Sequence, residues 1–139
     1  MFTDNSVGRS LDILHRNMDV SLLRQDVIAN NIANADTPNF KRSEVNFESE
    51  LQDALASERK TTEFTAARTH EDHINFHREI DYQSVRPRVR LDYATTADNN
   101  GNNVDIEQET MNYLQNQMNY TLMTQSMSAQ FNRVNLVLR

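Results

Sequence analysis

Apolar residues recur at helical spacing in two long stretches, one at each end of the chain. Near the N-terminus, Val7, Leu11, Leu14, Met18 and Leu22 form one stripe, and Ile13, Val20, Leu23 and Val27 a second. Ile28 and Ile32 carry the apolar surface further. Steps of three, four and seven are the signature of an amphipathic helix. Ser6 suits a helix start, and the pattern predicts a helix from there to about Asn34, roughly 40 Å long at 1.5 Å per residue. At the other end, Asp105 is a cap with Gln108 three residues on and Glu107 and Glu109 in the first turn, where the helix dipole favours negative charge. The helix it opens carries the stripe Met111, Leu114, Met118, Leu122 and the stripe Tyr113, Tyr120, Met123, Met127, Phe131, Val134, Leu138, with Asn112, Asn116, Asn119 and Gln130 on a polar face.

Two stripes on each helix predict two contact faces, one for the partner helix and one for a neighbouring molecule. A single wide face buried in one core is the alternative. Methionine adapts to varied surroundings and suits either. The fold class expected is mainly α: long N- and C-terminal helices pairing as a coiled-coil-like hairpin, with a small irregular or β insertion between them. Ser21, Gln25 and Gln125 interrupt the heptads and predict a weak pair in isolation.

Between the helices the pattern changes. Asn30-Asn31-Ile32-Ala33-Asn34-Ala35-Asp36-Thr37-Pro38-Asn39-Phe40-Lys41 reads as a helix stop with a defined exit. Asparagine tolerates the left-handed conformation that closes helices, and Pro38 holds Thr37 in extended geometry. Phe40–Val45 reads as extended chain. Asn46 can cap a shorter helix with Phe47, Leu51, Ala54 and Leu55 on one face, ending near Ser57. Glu58–Glu63 reads as a charged link. Ile74 and Phe76 alternate with polar neighbours, as do Val85, Pro87, Val89, Leu91 and Tyr93. Period two predicts a half-buried strand, and Pro87 confines it to an edge or a strand start. Asp98–Asn103 is a turn signal. The organisation expected is 1–35 helix, 36–104 hinge and outer body, 105–139 helix.

Composition narrows the function. Net charge is −6, which argues against nucleic acid. There is no Cys, so thiol chemistry and disulfides are excluded. Mean hydropathy is −0.74, low for a self-contained globule. No apolar run reaches the roughly 20 residues that span a bilayer, and no basic-then-apolar start marks a cleaved signal. Such a chain needs partners to complete its core.

Chemical motifs are weak. His70-Glu71-Asp72-His73-Ile74-Asn75-Phe76-His77 has metal-ligand residue types without metalloprotease spacing, and a polar surface loop explains it. Asp98, Asn100, Asn102 and Glu109 match positions 1, 3, 5 and 12 of a calcium loop, but Asn103 stands where glycine is required. Arg86, Arg88 and Arg90 fit a solvated strand face, or pairing with Glu48, Glu50 and Asp53. No catalytic triad, cofactor site or metal site is expected.

Ala29 to Lys41 resembles the signature of the bacterial flagellar rod and hook proteins, which runs Ala-Asn-Asn-Ile/Leu-Ala-Asn-x-x-Thr-Pro-x-Phe/Tyr-Lys. Phe47 with its helix, Thr69-His70-x-x-His73-Ile74, and Gly101-Asn102-Asn103-Val104-Asp105-Ile106-Glu107-x-Glu109 are similar to stretches of the short proximal-rod members. The resemblance spans essentially the whole chain, with 58–68 and 78–98 the least diagnostic. It implies a structural subunit of the basal-body proximal rod, polymerising into a helical axial structure that transmits motor torque. The implied partners are copies of itself, other rod proteins, proteins at the junction with the membrane ring, and the flagellar type III export apparatus. Export would proceed without a cleaved signal, into the periplasmic space. The terminal helices would form the inner layer and are often disordered before assembly. The hinge residues Asn30, Asn31, Ile32, Ala33, Asn34, Asp36, Thr37, Pro38 and Phe40 would set its geometry. Packing would fall to Leu11, Leu14, Met18, Leu22, Met111, Leu114, Met118, Leu122, Met127 and Phe131. Asn39 stands where many relatives carry Gly. Another proximal rod protein, or a soluble helical adaptor or export chaperone, is the alternative reading.

Overall fold

The protein is mainly helical. The computed structural model describes residues 6–63, 70, 80–95 and 100–138. Its elements are α1 (Ser6–Ala33), β1 (Ser43–Asn46), α2 (Glu48–Glu63), a 3-10 turn (Tyr82–Ser84), β2 (Arg88–Leu91) and α3 (Ile106–Val137). They fall into two compact units, Met1–Val45 with Val89–Arg139, and Asn46–Arg88.

In the first unit α1 and α3 pack along one another. Asn31, Gln25 and Ser21 of α1 bond Glu109, Tyr113 and Asn116 of α3, so the helices run antiparallel. On α3 the buried or half-buried positions are Asn112 and the series Glu109, Tyr113, Asn116, Tyr120, Met123, Met127 and Gln130. Their alternating steps of four and three form one continuous seam. Val20, Ser21, Ile28 and Asn31 are the buried positions of α1, flanked by half-buried Leu11, Ile13, Leu14, Met18, Leu23 and Val27. The other α3 stripe, Met111, Leu114, Met118 and Leu122, stays 51–67% exposed. Phe131, Val134 and Leu138 are exposed as well, so the second stripe is covered only as far as Met127. Asp105 caps α3 as expected, its carboxylate accepting from Glu107 N and Gln108 N.

β1 and β2 form a two-stranded sheet. Asp92 N donates to Arg42 O at 2.8 Å, joining the residue before β1 to the residue after β2. The pair is therefore antiparallel. The half-buried strand read from the alternation does not result, because all four residues of β2 are exposed. Val89 and Leu91 do share a face, but a two-stranded ribbon has no second layer of its own to cover it.

The second unit is built on α2. Phe47, Leu51 and Ala54 are buried, as their spacing predicts, and Leu55 is half-buried. Ser57 Oγ accepts from Ile80 N at 3.0 Å and Val85 is buried, completing a small core. Helix α2 continues through Glu58–Glu63, where a link is read from the charge. Charged side chains there are good helix formers, and no glycine or proline stops them. Arg88 Nε lies 3.6 Å from Glu50 Oε1, the pairing expected of the arginine strand. The alternation at Ile74 and Phe76 lies outside the described residues.

Candidate functional site

The end of α1 is closed by a succession of tight turns. Asn34 N–H is shared between Asn30 O at 3.2 Å and Asn31 O at 3.1 Å, Ala35 N donates to Ile32 O, and Thr37 N donates to Asn34 O at 3.0 Å. Pro38 follows, with no N–H to continue the ladder. The left-handed residue is not one of Asn30, Asn31 or Asn34. It is Asn39, with φ 61°, the one such non-glycine among the described residues. The chain thus turns beyond the proline, where an asparagine or glycine is tolerated and a β-carbon otherwise crowds the backbone.

The exit is clamped by a second segment, residues 100–104. Asn39 N donates to Asn100 O at 3.1 Å, and Lys41 Nζ donates to Gly101 O at 2.7 Å. Gly101 is itself left-handed, φ 79°, and a β-carbon there would lie 2.7 Å from Asn39 Oδ1. Asn102, fully buried, aims its amide nitrogen at three carbonyls, Asn34 O (3.0 Å), Ala35 O (2.7 Å) and Thr37 O (2.9 Å). Its Oδ1 accepts from Val104 N at 2.7 Å. One side chain therefore gathers three carbonyls at the helix end, of which Asn34 O and Thr37 O also accept backbone N–H groups within the turns.

Two further asparagines act as surrogate peptide groups, since a carboxamide offers a donor and an acceptor side by side. Asn31 accepts from Ser43 N (3.0 Å) and donates to Ser43 O (2.9 Å), holding the strand arm against α1. Asn103 accepts from Arg42 N (2.6 Å) and donates to Asp92 O (2.7 Å), bridging the two arms. Asn31 also donates to Glu109 Oε2 at 3.1 Å. Glu109, 1% exposed, faces Arg42, whose Nε lies 2.9 Å from Oε1 as an ion contact without a directed hydrogen bond. Arg42 also pairs with Glu44. Beside this clamp, Thr95 Oγ1 and Ala94 N donate to Asp92 and hold its carboxyl below the usual range.

Of the hinge residues named from the sequence, Asn31 is buried, Ile32, Asn34 and Phe40 are half-buried, and Asn30, Ala33, Asp36, Thr37 and Pro38 are exposed. The structure brings them together with Arg42, Asn102, Asn103 and Glu109, which sequence reasoning assigns to a strand, a turn and a helix cap. An open cleft of ≈ 330 Å³ adjoins the clamp, lined by Arg24, Ile28, Arg42, Glu109 and Asn116 among others. Asn116 Nδ2 donates to Ser21 O at 2.8 Å, while its buried Oδ1 lacks a protein partner and meets a space wide enough for water.

Among the described residues no group of three histidines or carboxylates could hold a metal. His70 is exposed, and His73 and His77 lie outside the described residues. Asn102 and Glu109, positions of the calcium pattern, are committed to the clamp, and Asp98 lies outside the described residues. No described helix is long and apolar enough to cross a membrane.

Residues 21–41, the second half of α1 and its exit, match the family model described as flagella basal body rod protein. The class is thus that of the axial rod proteins of the flagellar basal body. Over the whole chain the similarity is narrower. The flagellar basal body rod protein FlgB of Borrelia hermsii is 47% identical over 97% of this chain and 99% of its own length. That of Borreliella burgdorferi is 45% identical over the same shares. FlgB of Bacillus subtilis is 34% identical over 84% of this chain and 82% of its own length. The chain belongs to the FlgB family of flagellar basal body rod proteins. Its role is structural rather than enzymatic, a rod subunit of the flagellum.

Proposed function

We propose that this chain is a proximal-rod subunit whose antiparallel helix pair forms the inner layer of a helical tube and whose residues 36–104 form an outer body. The observation that carries the reading is the exposed apolar stripe of α3, Met111, Leu114, Met118 and Leu122. Contiguous exposed apolar surface marks an interaction site. Leu11, Leu14, Met18 and Met127 serve the pair inside one subunit, and Leu22, Phe131 and the exposed stripe of α3 serve contacts between subunits, in coiled-coil-like packing. The contacts are head-to-tail and non-closing, as a helical polymer requires. The hinge residues Asn30 to Phe40 fix the direction in which the outer body leaves the inner layer, and the packed helices carry torque along the axis.

The partners are other copies, the remaining rod proteins and the proteins joining rod to membrane ring. The chain reaches the periplasmic space through the type III export apparatus. Met118→Glu with Leu122→Glu tests the reading. The variant should keep its helical circular dichroism, yet fail to enter basal bodies and fail to support swimming. Normal motility and incorporation would refute it. A soluble adaptor or chaperone would instead leave an intact rod when the gene is deleted, visible by electron microscopy of isolated basal bodies.

A further inference from the structure

We infer that Asn100 is a site of spontaneous deamidation, and that its isoaspartyl product opens the clamp on the hinge. Asn100 is followed by Gly101, whose missing side chain leaves its backbone nitrogen unhindered. Asn100 is exposed, so water and base reach it. Its Oδ1 accepts from Asn102 N at 2.9 Å. That bond folds the carboxamide back over the intervening peptide, whose nitrogen belongs to Gly101. It also draws electron density from the amide carbon and supports the negative charge that develops on Oδ1 during attack. Among the described residues none accepts a hydrogen bond from the Gly101 N–H.

The chemistry needs no other reactant than water. Gly101 N, deprotonated, bonds to the Asn100 side-chain carbonyl carbon. The bond from that carbon to the side-chain nitrogen breaks, and ammonia leaves with a proton from solvent. Water then opens the five-membered imide at either carbonyl. One opening gives aspartate and the other gives isoaspartate, in which the main chain passes through the β-carbon and is one methylene longer.

The two products act differently on the clamp. Aspartate keeps the backbone, and with it the carbonyl that accepts from Asn39 N. Isoaspartate turns the Asn100 carbonyl that accepts from Asn39 N into a free carboxylate off the main chain, and the added methylene displaces Gly101 from its close fit against Asn39. The lengthened chain shifts Asn102, which holds Asn34, Ala35 and Thr37. The inference does not depend on the rod assignment.

The test uses the full chain, aged in mildly alkaline buffer and mapped by mass spectrometry with isoaspartyl methyltransferase labelling. Label should appear at Asn100 in the folded protein at a rate at least equal to that in the denatured chain, and should be lost in Asn100→Ala, which has no side-chain carbonyl to attack. Label confined to the denatured chain would overturn the site. Separated isoaspartyl protein should lose hydrogen-exchange protection at Thr37 and Phe40. Unchanged protection there would overturn the opening of the clamp.

Discussion

Asn102→Ala removes the side chain on which the exit from α1 depends. The asparagine is fully buried and makes one contact to each of three carbonyls and one amide. The bonds to Ala35 O and from Val104 N are buried, whereas those to Asn34 O and Thr37 O are only partly so. The partly buried carbonyls turn to water at little cost. The two buried groups keep no partner, at about 1–3 kcal/mol each, so the loss is about 2–6 kcal/mol. With a urea dependence of about 1–3 kcal/mol/M, the unfolding midpoint should fall by about 1 M or more. Urea titration followed by circular dichroism measures this, with Asn119→Ala, an exposed asparagine on α3, as the control. Hydrogen exchange should report faster opening at Thr37, Phe40 and Val104. A change within about 0.5 kcal/mol, the range of ordinary surface substitutions, would refute the clamp.

Three further outcomes follow from the same geometry. Asn39→Gly should leave stability nearly unchanged while Asn39→Val loses about 1–2 kcal/mol, because only the latter resists a left-handed backbone; equal thermal midpoints for the two would contradict this. Arg42→Met should destabilise by about 2–3 kcal/mol, since it leaves Glu109 charged and buried, though Arg42 itself is partly solvated; the double change with Glu109→Gln should recover part of the loss in a denaturation cycle. Asp92 has its carboxyl held below the ordinary 3.8, chiefly by Thr95. Its contribution is therefore complete above that ordinary value and fades as pH falls toward the depressed one. The stability gap between the wild type and Asp92→Asn should be open at neutral pH and closed in strong acid, and a gap independent of pH would argue against the Thr95 and Ala94 bonds.

The helices were legible because their apolar positions repeat locally. Val20, Ile28, Tyr113 and Met123 belong to helical apolar stripes by spacing alone, though spacing did not say which of the two stripes on each helix meets the partner, and Phe47, Leu51 and Ala54 mark a buried face on a smaller scale. The clamp was not legible in the same way. Asn102 meets its carbonyls across 65 to 68 residues of sequence. An asparagine in a turn and an asparagine buried against a helix end have the same composition and neighbours. Asn103, seen as the residue that spoils a calcium loop, is a bridge between two strand arms. Asn31 was found within the helix-stop motif, but its partner Glu109 looked like a first-turn dipole residue. The exposed β2 misled for the opposite reason: alternation reports a face suited to burial, not the presence of a second layer.

The seam between α1 and α3 is apolar for most of its length, yet it is crossed by Asn31 to Glu109, Gln25 to Tyr113 and Asn116 to Ser21. Apolar side chains slide past one another with little penalty, because one methyl group replaces another. Polar pairs do not. A slip of one helical turn would separate all three at once, and the two buried pairs, at Glu109 and at Asn116, would cost about 1–3 kcal/mol apiece. The pair therefore behaves as a toothed coupling. Load applied along the helix axis meets discrete stops near the middle and one end of the seam, while half-buried Met18, Met123 and Met127, beyond those stops, allow the helices to flex sideways.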